Sequence, residues 1–218
     1  MKKVMCMLAL IAAVAFAEPV WCGRGIDDFQ PGTVGVVDTW HEKEVSGFSS
    51  QYGTCEIHAI KLTLHRAPGV EWSDFEYEIA VYDAYADPGG YNMEIDTCIA
   101  TYTGETPTDP GLTAEVTTYF PTPVLVEYSG TQLNYFAVGI HKLTTEAQAD
   151  VRLYYGVRHF SATEYYSFYW WNDDWSDQNL IYQGTSYPAD YTIEYLIEYY
   201  PGQALETSTW GSIKASFQ

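Results

Sequence analysis

Asp190-Tyr191-Thr192-Ile193-Glu194-Tyr195-Leu196-Ile197-Glu198-Tyr199 carries the clearest secondary-structure pattern in the chain. Along an extended chain Tyr191, Ile193, Tyr195, Ile197 and Tyr199 face one way. Thr192, Glu194, Leu196 and Glu198 face the other. Side chains alternate across a strand, so a period of two with one apolar set reads as a half-buried β-strand. The pattern recurs at Phe75, Tyr77, Ile79 and Val81, set against Glu76, Glu78, Ala80 and Tyr82. It recurs again at Ile60, Leu62 and Leu64, set against Lys61, Thr63 and His65.

Further strands are expected at residues 98–102, 114–120, 124–127, 133–140, 151–157, 165–171 and 180–183. Asp87-Pro88-Gly89-Gly90 and Thr108-Asp109-Pro110-Gly111 punctuate them as turns. No segment holds a 3.6-residue period over three turns. Many short strands with Gly and Pro turns predict an all-β protein. The expected architecture is an antiparallel β-sandwich, jelly-roll-like, of about ten strands.

The two ends differ from this middle. Lys2 and Lys3 precede an uncharged apolar run to Phe16, and Ala15-Phe16-Ala17 has the small-x-small form cut by signal peptidase. Residues 1–17 therefore read as a secretory signal peptide, too short for a membrane span. Residues 18–52 are rich in glycine and read as a loosely built extension with a β-prone piece around Val34 and Val36. Residues 53–200 form the expected sandwich, and 201–218 a flexible tail. The expected location is extracellular or at the cell surface.

Acidic residues outnumber basic ones by 29 to 10, a formal charge of −19, and loss of Lys2 and Lys3 deepens it. Such a surface repels nucleic acid and anionic lipid, so neither nucleic-acid binding nor membrane insertion is expected. Cys22, Cys55 and Cys98 survive cleavage. Export favours disulfides, and Cys55–Cys98 is the expected bridge, with Cys22 left free or bonded to another chain. Cys22–Cys55 is the alternative. No C-x-x-C, G-x-S-x-G or phosphate-binding glycine loop is present. His58 and His65, seven apart, face opposite sides of a continuous strand.

The densest chemical feature is Tyr165-Tyr166-Ser167-Phe168-Tyr169-Trp170-Trp171-Asn172-Asp173-Asp174-Trp175. Trp171 and Trp175 with Asn172 and Asp174 are the candidate glycan face, since flat rings stack on sugars and carboxylates and amides bond hydroxyls. The competing reading is a strand with core aromatics and an acidic turn. Asp83, Asp87, Asp173 and Asp177 are candidate calcium ligands on carboxylate clustering. Val34, Val36 and Cys22 are candidate assembly residues, with the valines anchoring a strand added to a neighbour's sheet edge.

Residues 75–83, the Asp87-Pro88-Gly89-Gly90 loop and the Tyr135-Phe136-Ala137-Val138-Gly139-Ile140 strand resemble bacterial secreted jelly-roll domains of the accessory or carbohydrate-binding type. That resemblance implies a sandwich and carries no functional residue across. Export, a single domain, an odd cysteine and two unusual tails favour a non-catalytic protein of extracellular assembly. The expected partners are copies of itself or other cell-surface proteins. A carbohydrate-binding module, with polysaccharide as partner, is the alternative, and a glycoside hydrolase a distant third.

Overall fold

The computed structural model describes residues 18–25, 28–29, 34–37, 39–50, 54–86, 93–127, 134–156, 167–177, 179–182 and 185–199. The expected signal peptide, the C-terminal tail and the Asp87-Pro88-Gly89-Gly90 loop lie outside them.

Fifteen strands run through these residues. Seven form one antiparallel sheet: β1 (Val20–Gly23), β2 (Val34–Val36), β4 (Cys55–Arg66), β7 (Thr113–Val126), β9 (Val151–Gly156), β14 (Asp190–Tyr191) and β15 (Ile193–Tyr199). Six form the second: β3 (Lys43–Ser50), β5 (Tyr77–Ala86), β6 (Met93–Thr103), β8 (Asn134–Lys142), β10 (Ser167–Trp171) and β11 (Asp174–Asp177). β12 (Asn179–Tyr182) and β13 (Thr185–Pro188) pair as a separate hairpin. β4 pairs with β15 and β3 with β8, early strands with late ones, as a jelly-roll path requires. Among the described residues no helix is long and apolar enough to cross a membrane.

The alternating residues fill the space between the sheets. Ile57, Ile60, Leu62, Leu64, Leu153, Ile193 and Ile197 come from one sheet, and Ile79, Val81, Phe136, Val138 and Ile140 from the other, in one buried cluster. Each such side chain contributes about 1.5–3 kcal/mol on burial. The strand read first from sequence splits at Thr192. Its start pairs with β9 and its remainder with β4. Thr192 bridges both, its N–H donating to Tyr154 and its carbonyl accepting from Thr63.

Several expectations are corrected. The described residues between 18 and 50 are built into the sheets instead of forming a loose extension. β1 and β2 pair into the seven-stranded sheet, and β3 lies between β8 and β10 in the other. Val34 and Val36 pair with Gly156 and Tyr154 of their own chain, so these backbone groups are already used. The expected strands 114–120 and 124–127 are one, β7. Pro121 and Pro123 fall where its register with β4 jumps, and β7 is an edge strand, where proline is tolerated.

The three described cysteines are free. Cys55 is fully buried on β4, whereas Cys98 is exposed on β6 of the opposite sheet, so the expected bridge does not form. Cys22 on β1 is separated from β4 by β15, about 9–10 Å away. That exceeds disulfide reach.

Candidate functional site

The outward face of the seven-stranded sheet carries the site. On β15 the inward set is Ile193, Tyr195 and Ile197, so Glu194, Leu196 and Glu198 face out. Residues paired directly across antiparallel strands share a face, and the register arranges three transverse rows. Trp21, Leu196, Ala59 and Tyr119 form the middle row, one residue from each of β1, β15, β4 and β7. Glu194, Lys61 and Thr117 form the row on one side. Glu198, Glu56 and Leu125 form the row on the other.

The middle row is apolar and open at its ends. Trp21 is 40% exposed and Tyr119 is 65% exposed. Three strand intervals separate them, about 14 Å. Ala59 is buried between them, and its small side chain adds no bulk to the row. Lys61 lies 5.3 Å from the centre of the Trp21 ring and is paired with Glu194, which fixes the cation beside the indole.

A bulge supplies the remaining polar group. His58 has no register partner on either neighbour, since both ladders shift there. Parity switches across the bulge, so His58 and His65 share the outward face instead of opposing one another. His58 Nε2 sits 3.2 Å from Glu198 and 3.8 Å from Glu56. Glu56 and Glu198 are directly opposite each other, an arrangement of like charges that costs stability without a cation between them. Among the described residues this is the one group offering three ligand atoms within 4.8 Å. Two carboxylates and an imidazole suit a divalent transition ion better than calcium.

The aromatic and acidic segment read from sequence has another role. β10 and β11 form a tight hairpin closed by the Trp171–Asp174 pair. Asn172 (φ 50°) and Asp173 (φ 62°) are its two turn residues. Both lie in the left-handed region, as a type I′ turn demands and as Asn and Asp tolerate. Asp174 accepts a hydrogen bond from the Trp175 N–H. Trp175 meets Trp170 edge-on at 5.2 Å and Tyr82 at 5.4 Å, against a second apolar cluster on the outward face of the six-stranded sheet. Asn172 is thus a turn residue, Asp174 closes the hairpin opposite Trp171, and Trp175 is packed. Asp83 is exposed on β5 and accepts from the N–H of Ala84. The side chains of Trp171 and Asp177, and all of Asp87, lie outside the described residues. Among the described residues, none of the candidate calcium ligands belongs to a group of three or more ligand-bearing side chains.

Comparison with protein-family models, curated proteins and solved structures finds no match. The geometry alone carries the functional reading.

Proposed function

We propose that this chain is exported and acts as a non-catalytic module that binds a neutral polysaccharide along the outward face of its seven-stranded sheet. The carrying observation is the Trp21–Leu196–Ala59–Tyr119 row. Two exposed rings about 14 Å apart on a sheet face offer stacking surfaces to an oligosaccharide rather than a single sugar. Glu56, Glu194 and Glu198 accept hydrogen bonds from hydroxyls, and Lys61 donates. The chain's charge of −19 repels acidic glycans and leaves neutral ones.

Native electrophoresis through gels containing neutral polysaccharides tests this. The intact chain is retarded, and Trp21→Ala or Tyr119→Ala each weakens retention about tenfold, the equivalent of about 1.4 kcal/mol of lost ring coverage. Unretarded migration in every polysaccharide, or variants that bind like the parent, refutes the reading. Retention lost in Trp175→Ala alone moves the platform to the β10–β11 hairpin.

A second reading, self-association at the cell surface, draws on β6. This strand ends the six-stranded sheet and exposes Ile99 and Cys98. A long edge with apolar side chains is a template for another chain. Size-exclusion chromatography with calcium present distinguishes it: a monomer at high concentration rules it out.

A further inference from the structure

We propose that Lys142 and Glu44 become joined by a side-chain amide, formed by the folded chain itself with loss of one water. β3 and β8 are neighbours, and both side chains project from them into the space between the sheets. Lys142 Nζ lies 3.0 Å from Glu44 Oε2, and both side chains are 0% exposed. The two are diagonal neighbours, since Glu44 faces Ile140 across the ladder.

The surroundings do little for a charged pair. Beyond their contact with each other, neither Nζ nor either Glu44 carboxylate oxygen has a hydrogen-bond partner among the described residues. The Trp40 ring centre is 5.1 Å from Nζ, and Tyr191 packs nearby, fully buried. Buried ion pairs normally need additional hydrogen bonds to offset the loss of water from each charge. Those additional bonds are missing here, and the reaction starts from the neutral form of the pair, an amine beside an acid, which carries the same protons as the ion pair. Burial pushes the Lys142 ammonium below its ordinary range, with the Glu44 charge opposing in part.

A neutral amine is a nucleophile, and the carboxylic acid presents its carbonyl carbon within reach. The Nζ lone pair adds to Cδ of Glu44, forming the N–C bond. A proton passes from Nζ to one carboxyl oxygen. That Cδ–O bond then breaks and water departs. Nothing is oxidised or reduced and no co-reactant enters. His41 is placed to carry the proton, its Nδ1 3.6 Å from Glu44 Oε1 on the rim of the site. It acts as a positioning and relay group beside the reacting pair. Fixing the two groups in one orientation replaces chemical activation of the acid. Water exclusion protects the product from hydrolysis.

The link would close a loop running from β3 to β8, and long loops restrict the unfolded chain most. It would give an exported protein whose described cysteines are all free a covalent staple of a different kind.

Mass spectrometry of the full secreted chain under denaturing conditions tests the proposal. The expected mass is lower than the sequence requires by one water. Proteolysis is expected to yield a peptide containing Lys142 covalently linked to one containing Glu44. His41→Ala is expected to leave a larger unlinked fraction, while Lys142→Met and Glu44→Ala abolish the deficit. Variants that fail to fold do not blunt the test, because the parent chain decides it. A full sequence mass, or a missing water that maps to another position, overturns the proposal.

Discussion

Gly139 on β8 is where the placement of β3 is most sharply testable. A Cβ built there would sit 2.0 Å from the Glu44 carbonyl oxygen and 2.6 Å from Val45 Cα. Both obstacles are backbone, so no side chain can swing aside. Gly139→Ala must push β3 away from β8 by more than an ångström or bend one of them. The ladder between these strands runs over eight register pairs, from Lys43–His141 to Ser50–Asn134. Losing two or three of its hydrogen bonds costs about 2–3 kcal/mol at roughly 1 kcal/mol each. Overpacking adds about 1–2 kcal/mol. The sum, about 3–5 kcal/mol, is a large share of the roughly 5–15 kcal/mol that holds a domain folded. At about 2–4 °C per kcal/mol for a chain of this size, Tm falls by roughly 6–20 °C. Thermal unfolding followed by circular dichroism measures it. Gly35→Ala on β2 is the control, with nothing within 4 Å of its added Cβ. It is expected to shift stability by less than about 0.5 kcal/mol. If Gly139→Ala unfolds within about 1 kcal/mol of the parent, β3 is not held in the six-stranded sheet. The N-terminal stretch is then the loose extension its glycine content implied.

Two further outcomes follow from the same geometry. Asn172→Val places a β-branched residue at φ 50° and is expected to cost about 1–2 kcal/mol in urea unfolding, whereas Asn172→Gly is expected to be neutral or stabilising; equal stabilities would refute the type I′ turn. Burial raises the phenols of Tyr77, Tyr82, Tyr191 and Tyr195 above their ordinary range and pushes the Cys55 thiol up to about 12. The fold therefore keeps protons that the unfolded chain releases from about pH 8.5 for the thiol and about pH 10 for the phenols. Stability is full below that window and falls as pH rises through it, approaching about 1.4 kcal/mol per pH unit for each such group. Alkaline titration is expected to show tyrosinate absorbance and loss of circular dichroism rising together. Ionisation of these four phenols in a chain that keeps its native spectrum would contradict the packing.

What the sequence revealed depended on whether the signal was local. Residues 193–199 alternate because one face of the strand lies in the core, and that face needs only the strand's own side chains to be seen; in β5 Tyr77, Ile79 and Val81 face the same core, while Ala80 and Tyr82 are buried in the cluster on the other face. β3 escaped notice because its inward set includes Glu44 and Ser46, polar groups that pattern reading assigns to solvent. Their partners, Lys142 and Ser167, lie about a hundred residues or more away. The His58 bulge reversed the facing predicted for His58 and His65, because period-two counting has no term for an extra residue. The Asn172-Asp173 turn was legible in principle. Adjacent Asn and Asp between aromatic runs mark a two-residue hairpin as well as a ligand cluster, and φ decides between them.

The proposed binding row marks the limit of that local reading. Trp21, Ala59, Tyr119 and Leu196 come from four strands spread over most of the chain, and only register aligns them. A one-residue slip of β1 against β15 would turn Trp21 into the core and destroy the row. That register is held at one end by Gly23. A Cβ there would lie 2.4 Å from the Ile193 carbonyl oxygen, and its φ of 103° excludes other residues without strain. Beyond Gly23, the Arg24 N–H donates to that same carbonyl at 2.8 Å, and its guanidinium pairs with the nearly buried Asp190 at 3.3 Å. The glycine-rich composition of residues 18–25 predicts looseness, yet its glycine and arginine fix the strand that carries the exposed indole. Glycine content distinguishes a flexible segment from a closely docked one only when the atoms facing each glycine are known, and here they belong to β15.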